Sequence, residues 1–309
     1  MTGTRRSRSR IGGALLLPVL ALTAGGVWVA QADGGSGHPT AAVVNAQAVA
    51  ATPTQTPAPT ATPTPVDLNA VLASAAAQVP AEGAVSVAVL DAASGASAVY
   101  GGGSFVTASI VKADLLAALL WQRQRAGREL SADEKATAAL MIEQSDNDAA
   151  DALWRAVGGA AGLDEANAAF GLTATTAGTD GSWGLTSTTA ADQLRLLQVV
   201  FGSGSGSGSP LTAGSQAYLQ SLMGQVEADQ DWGVSAADQD GAYTLKNGWL
   251  PRSATGRWAV NSIGRVTYDG RELLLAVLTE GSADEAAGIA TVEGLAKAAA
   301  GALTGELTH

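Results

Sequence analysis

The sequence predicts an α/β (α+β) fold, with one antiparallel sheet flanked by N- and C-terminal helices and an all-helical lobe set against it. Three observations carry this. Short β-branched strands occur near the start (Val85–Leu90) and again near the end (Trp258–Tyr268). The sequence between them is dominated by Ala, Leu and charged residues at helical spacing. Helical segments also lie outside the strands at both ends. A chain of 309 residues, 47% hydrophobic, has ample material for such a core.

In order, Met1–Arg10 is basic, Ile11–Ala30 is apolar and Ala30-Gln31-Ala32 offers a small-residue cleavage site. That order predicts a secretory signal over residues 1–32, or a membrane anchor through residues 11–30. The protein is therefore expected to be secreted or extracytoplasmic. Residues 33–66 form a Thr/Pro/Ala-rich linker that cannot build a packed core. The folded domain spans 67–309. Its sheet lobe covers 67–104 and 225–309, and its helical lobe 105–224.

Asp67 caps a first helix running to Gln78. Val85–Leu90 and Ser97–Tyr100 form strands around Gly95. From Ser109 the run to Trp121 lacks Gly and Pro and is apolar almost all round, which predicts a helix inside the core. Ser131 and Glu134 have capping-box spacing and open a helix to about Gln144. Ser145-Asp146-Asn147 precedes another, Asp148–Val157. Gly171–Thr188 is a long Gly- and Thr-rich loop. Thr189–Phe201 and Thr212–Gly224 are helical, with a flexible Gly-Ser segment, Gly202–Ser209, between them. Strands return at Ala242–Lys246, Trp258–Tyr268 and Glu272–Thr279, with Asp269-Gly270 as a hairpin turn. Ala283–Leu303 closes the domain as a helix.

Composition excludes several chemistries. The net charge is −11, and four of the basic residues sit at the extreme N-terminus, so the folded part is acidic and unsuited to nucleic acid. No cysteine exists, which removes disulfides, thiol nucleophiles, Cys metal sites and a lipid-modified N-terminal Cys. The two histidines, His38 and His309, lie at the margins, so neither a Ser-His-Asp triad nor a His-ligated zinc fits. No metal and no cofactor is expected. Proton transfer must fall to lysine or a carboxylate.

Ser109 and Lys112 stand three apart and share a helix face, so the amine can reach the hydroxyl. A serine becomes a useful nucleophile only beside a base, and a lysine in apolar surroundings near a second cation can be one. The same spacing arises by chance, and a serine at a helix start is often only a cap. Ser145-Asp146-Asn147 is likewise good cap sequence, and Lys246-Asn247-Gly248-Trp249 fits a strand end with a turn glycine.

Together and in this order, the three motifs resemble those of the penicillin-recognising active-site-serine hydrolases, and most closely the class A β-lactamase catalytic domain. The resemblance covers the chain from about Asp67 onward. It implies a β-lactamase/transpeptidase-like fold and a hydrolase that forms an acyl-enzyme. Ser109 is then the nucleophile, Lys112 its base or relay, and Ser145 the proton carrier to the leaving nitrogen. Asn147 orients Lys112 and the substrate amide, and Lys246 offers charge to a substrate carboxylate. Asn247, Gly248 and Trp249 line the substrate, with the N–H groups of Ser109 and Trp249 as oxyanion hole. The implied partner is a small-molecule or peptidoglycan-like substrate, met by a monomer. The alternatives are a penicillin-sensitive D-Ala-D-Ala-type peptidase, an esterase, or a wall-binding module without turnover.

Three departures stand out. Asn247 takes the place of the family's usual Thr. The stretch between Ser109 and Ser145 is short for a class A enzyme, which predicts a missing cleft wall. The loop also lacks the family's deacylating Glu. Its only carboxylate, Asp180, reads as a turn residue before Gly181, and slow deacylation is the expected result. Trp121, Trp154 and Trp183 are expected in the core, and Trp249 either at the cleft, where a substrate packs on it, or buried against the sheet.

Overall fold

A computed structural model describes residues 66–202 and 208–307. The signal or anchor and nearly all of the linker lie outside the described residues, as does most of the Gly-Ser segment.

Asp67 caps α1 (Leu68–Ala76) by accepting from the Asn69 and Ala70 N–H groups. Strand β1 (Ala84–Asp91) pairs antiparallel with β2 (Ser97–Tyr100). After the two-residue β3 (Phe105–Val106) and a 3₁₀ turn at Ala108–Ile110 comes α2 (Val111–Arg125). The helical block continues with α3 (Ala132–Glu143), α4 (Asn147–Val157) and α5 (Gly159–Phe170). The short β4 (Ser187–Thr188), α6 (Ala190–Phe201) and α7 (Ala213–Met223) follow. The chain ends with β5 (Thr244–Arg252), β6 (Arg257–Tyr268), β7 (Arg271–Ser282) and α8 (Glu285–Leu307).

The five long strands form one antiparallel sheet in the order β2-β1-β7-β6-β5. The last strand thus lies beside the first, and the two ends of the domain make a single sheet. Asp269 and Gly270 turn the β6–β7 hairpin with φ of 49° and 70°, the left-handed pair a two-residue hairpin needs. Strand β7 reads as an unbroken apolar run, Leu273–Leu278, because both its faces are covered. Leu273, Leu275 and Val277 meet Leu72 of α1 and Val292 and Leu295 of α8 on one face. Leu274, Ala276 and Leu278 meet the helical block on the other. Each such leucine contributes about 1.5–3 kcal/mol of apolar burial.

Helix α2 is the core helix the sequence predicts: every residue from Val111 to Trp121 is buried. It begins two residues later than expected, with Ser109 inside the 3₁₀ turn. Ala108 has φ of 48°, a strained value for a residue with a Cβ, and this reverses the chain into the turn. The buried Asn261 of β6 holds the same place by donating to the Val106 and Thr107 carbonyls at 2.9 and 3.0 Å.

Two elements differ from expectation. Helix α5 was not expected, since its glycines argue against a helix. Gly162 is needed there because a Cβ would stand 2.0 Å from the Val157 carbonyl oxygen at the end of α4. Strand β5 does not stop at Lys246 but continues to Arg252, so the Lys-Asn-Gly triplet is mid-strand. As the edge strand, β5 tolerates Pro251. The long loop is pinned along its length. The Ala174 N–H and Thr175 hydroxyl donate to Asp192, the Ala177 N–H donates to Asp164, and β4 pairs with β3.

Candidate active site

Four pieces of chain converge at the join of helices and sheet. The turn Ala108–Ile110 supplies Ser109, half-buried at the head of α2. One turn on, Lys112 is completely buried. Helix α3 ends at Gln144, and Ser145 then adopts φ of 55° before Asp146 caps α4 by accepting from the Ala149 N–H at 2.7 Å. The cap and the strained serine are parts of one turn, so Ser-Asp-Asn here both starts a helix and presents side chains.

The Lys112 ammonium donates to the Ser145 carbonyl at 2.5 Å, the Ser145 hydroxyl at 3.1 Å and Asn147 Oδ1 at 2.8 Å. From β5, the equally buried Lys246 donates to the same Ser145 hydroxyl at 3.0 Å and to the Asn247 carbonyl at 3.1 Å. One hydroxyl therefore bridges two lysines. Among the described residues the Ser109 hydroxyl has no hydrogen-bond partner, and Lys112 directs its protons to Ser145 and Asn147 instead.

Two buried like charges this close oppose each other's protonation. Burial pushes Lys112 down to about 8, against the pull of Asp146 and Asp151 toward the charged form. Burial, and then the charge of Lys112, push Lys246 well below the ordinary lysine range. Protons are thus held loosely here and are shared by the pair. Among the described residues no group of three or more His, Asp or Glu side chains could hold a metal ion.

Strand alternation decides what β5 offers the site. Lys246 and Gly248 face the helical lobe. A Cβ on Gly248 would lie 2.6 Å from the Ile110 nitrogen and 2.7 Å from the Ser109 nitrogen, so the strand presses on the Ser109 turn itself. The room left by Gly248 is filled by the chain's own backbone, where a close approach of substrate was expected. Asn247 and Trp249 point to the opposite face, which corrects two expectations. Asn247 is fully buried, and its amide donates to the Gln230 and Trp232 carbonyls at 2.9 and 2.8 Å, away from the cleft. The Trp249 ring is half-buried edge-to-face on Trp232, with centroids 5.8 Å apart. Only its backbone remains for the cleft.

Trp121 and Trp154 are in the core as expected. Trp183 is not. It sits half-buried in a 3₁₀ turn of the long loop, with the Lys112 nitrogen 4.8 Å from its ring centroid. Its Nε1–H donates to Asp151 Oδ1 at 2.8 Å. Asp180 is exposed with φ of 51° before Gly181, the turn residue expected from its Asp-Gly pair. Asp151, Trp183 and Asn261 are the site residues that sequence reasoning missed. Asp151 had a signal: it lies four residues after Asn147, on the same helix face. Asn261 had only its polarity inside an apolar strand.

The Beta-lactamase2 family, described as the β-lactamase enzyme family, matches residues 121–303, more than half of the chain. The chain belongs to the β-lactamase enzyme family. The matched region starts downstream of Ser109 and Lys112, so the first motif stands as separate support. A class A β-lactamase from Bacteroides cellulosilyticus superposes with a TM-score of 0.63 at 18% identity, covering 77% of this chain and 97% of that one. A β-lactamase from Xanthomonas campestris gives 0.60 at 20%, covering 76% and 97%. At these identities the likeness shows the class A fold. Curated relatives named "Putative lipoprotein LppW", from Mycobacterium bovis and Mycobacterium tuberculosis, are 28% identical over 176 residues, 54% of each chain. The chain thus spans about half the length of the curated relatives it matches.

Proposed function

We propose that this family member is an exported serine hydrolase that forms an acyl-enzyme on Ser109 with β-lactam or cell-wall-peptide-like amide or ester substrates, and clears it slowly. The observation that carries this is the Ser145 hydroxyl shared by two buried lysines beside the Ser109 turn. A substrate carboxylate arriving at Lys246 stabilises its proton, and the charge then gained by Lys246 favours loss of the proton on Lys112. Neutral Lys112 takes the proton of the Ser109 hydroxyl as Oγ bonds to the substrate carbonyl carbon. The N–H groups of Ser109 and Trp249 receive the developing oxyanion. Collapse breaks the C–N bond of an amide or the acyl C–O bond of an ester, and the leaving nitrogen or oxygen takes a proton through Ser145, which is refilled from the lysines. Export rests on the N-terminal sequence, supported by the relatives' lipoprotein name.

A second reading, a wall-binding module that acylates nothing, is favoured by the unpartnered Ser109 hydroxyl. Intact-mass measurement after incubation with a penicillin and with a cephalosporin separates the two. Acylation adds the drug's mass to wild type and not to Ser109→Ala. An unmodified wild-type protein would sink the acyl-enzyme reading. Release of a terminal D-Ala from a wall-type peptide would identify the peptidase alternative.

A further inference from the structure

We infer that Asp151 and Trp183 act as a positioning pair, a clasp that holds the long loop against Lys112 and biases that lysine toward its protonated form. Neither belongs to the three motifs.

Asn147 and Asp151 lie one turn apart on α4 and share a face. Asn147 Oδ1 accepts directly from the Lys112 ammonium at 2.8 Å. Asp151 acts one step away: its Oδ1 accepts the Trp183 indole N–H at 2.8 Å, and the Lys112 nitrogen is 4.8 Å from the ring of that indole. A tryptophan ring presents negative potential to a cation, and a carboxylate on its N–H adds a full negative charge. The contact also places an apolar ring over a fully buried amine, limiting water on that side. The loop cannot leave Lys112 without breaking the Asp151 bond.

The groups that set Lys112's proton are few. Burial opposes it most, and Asp146 and Asp151, both from the α4 segment, support it; Lys246 on β5 is the facing cation, whose own proton the Lys112 charge disfavours. Asp146 is committed as the helix cap. Asp180, on the Trp183 loop, is exposed, and the carboxylates that act on Lys112 are Asp146 and Asp151. Asp151 is therefore the group whose charge can be removed with the cap intact. Asn at 151 keeps an acceptor for the indole N–H and removes only the charge. Phe at 183 keeps a ring and removes the N–H.

The experiment follows Lys112 directly, so only its kinetic arm rests on the acyl-enzyme reading. The chain has four lysines, Lys112, Lys135, Lys246 and Lys297. With 13C at the lysine ε carbon of the full chain, each gives a resolvable titration by NMR, and Lys112→Arg assigns the one that matters. Asp151→Asn is expected to lower the Lys112 midpoint by roughly half a unit to one pH unit. Trp183→Phe should lower it less, and Asp180→Asn should leave it in place. In the kinetic arm, the acid limb of the acylation rate moves by the same amount in Asp151→Asn. A Lys112 midpoint unchanged in Asp151→Asn, with the variant melting like wild type, overturns the clasp. A shifted midpoint in a protein that no penicillin acylates keeps the clasp and removes the acyl-enzyme reading. Should Asp151→Asn melt early, Trp183→Phe decides alone.

Discussion

Replacing Asp114 with Asn is expected to stabilise the protein, and to do so more strongly as pH rises. Asp114 lies two residues after Lys112 on α2, wholly inside the helical lobe. Burial drives its carboxyl up to about 8, opposed by hydrogen bonding with the Asn167 side chain and assisted by Asp164 and Asp192. The native carboxyl is therefore neutral at pH 7, while in the unfolded chain it ionises from 3.8 upward. Between those values the folded state holds one proton more than the unfolded state. Its contribution to stability is fully present below 3.8 and is lost as pH climbs toward 8. The slope is about 1.4 kcal/mol per pH unit, so wild type loses roughly 3–4 kcal/mol from this group between pH 5 and 8. Asn carries no titrating proton and can meet Asn167 once that amide turns. Urea unfolding of both proteins at pH 5, 6, 7 and 8 gives the test. The gap should widen with pH in favour of the variant. Parallel stability curves would refute the buried neutral carboxyl.

Lys112→Arg keeps the charge but cannot give up its proton near neutral pH, so labelling of Ser109 by a fluorescent penicillin should vanish in the folded variant; equal labelling would mean another base. Gly248→Ala puts a methyl into the Ser109 and Ile110 nitrogens and should cost about 1–3 kcal/mol in unfolding, together with slower acylation. A wild-type response in both assays would mean the turn yields freely. A β-lactam adduct on Ser109 should persist for minutes or longer after free drug is removed, since losing one general base costs about 10²–10⁴-fold; mass spectra showing clearance within a second would defeat this. N-terminal sequencing of the exported product should begin near Asp33, whereas a membrane-held product retaining Met1 would establish the anchor.

Local chemistry made most of the fold legible. Asp67 and Ser131 cap the helices expected of them, and Thr189 and Thr212, where two further helices were expected to start, turn out to be their caps, because capping needs only neighbours. Helix α5 was hidden because its glycines are set by a close approach to α4, which no local rule contains. In the site, the motif order placed Ser109, Lys112, Ser145, Asn147 and Lys246 within one constellation, apart from a hydrogen bond to Ser109. Asn247 and Trp249 were assigned to the cleft although strand alternation alone separates them from Lys246 and Gly248. Trp183 was legible only as an aromatic residue. What it touches depends on how a loop of Gly and Thr is tied down by Asp164 and Asp192, and that is long-range information.

Asn261 and Gly248 together have a bearing on divergence. Both belong to the sheet, and both grip the Ser109 turn through main-chain atoms, one by hydrogen bonds and one by bare proximity. The position of Ser109 is thereby referred to the sheet as well as to the helix it heads. The connection between α2 and α3 takes no part in this grip, so its length can change while the sheet still holds the Ser109 turn. A lineage on such a scaffold can rebuild the helical wall beside that turn and keep the turn itself.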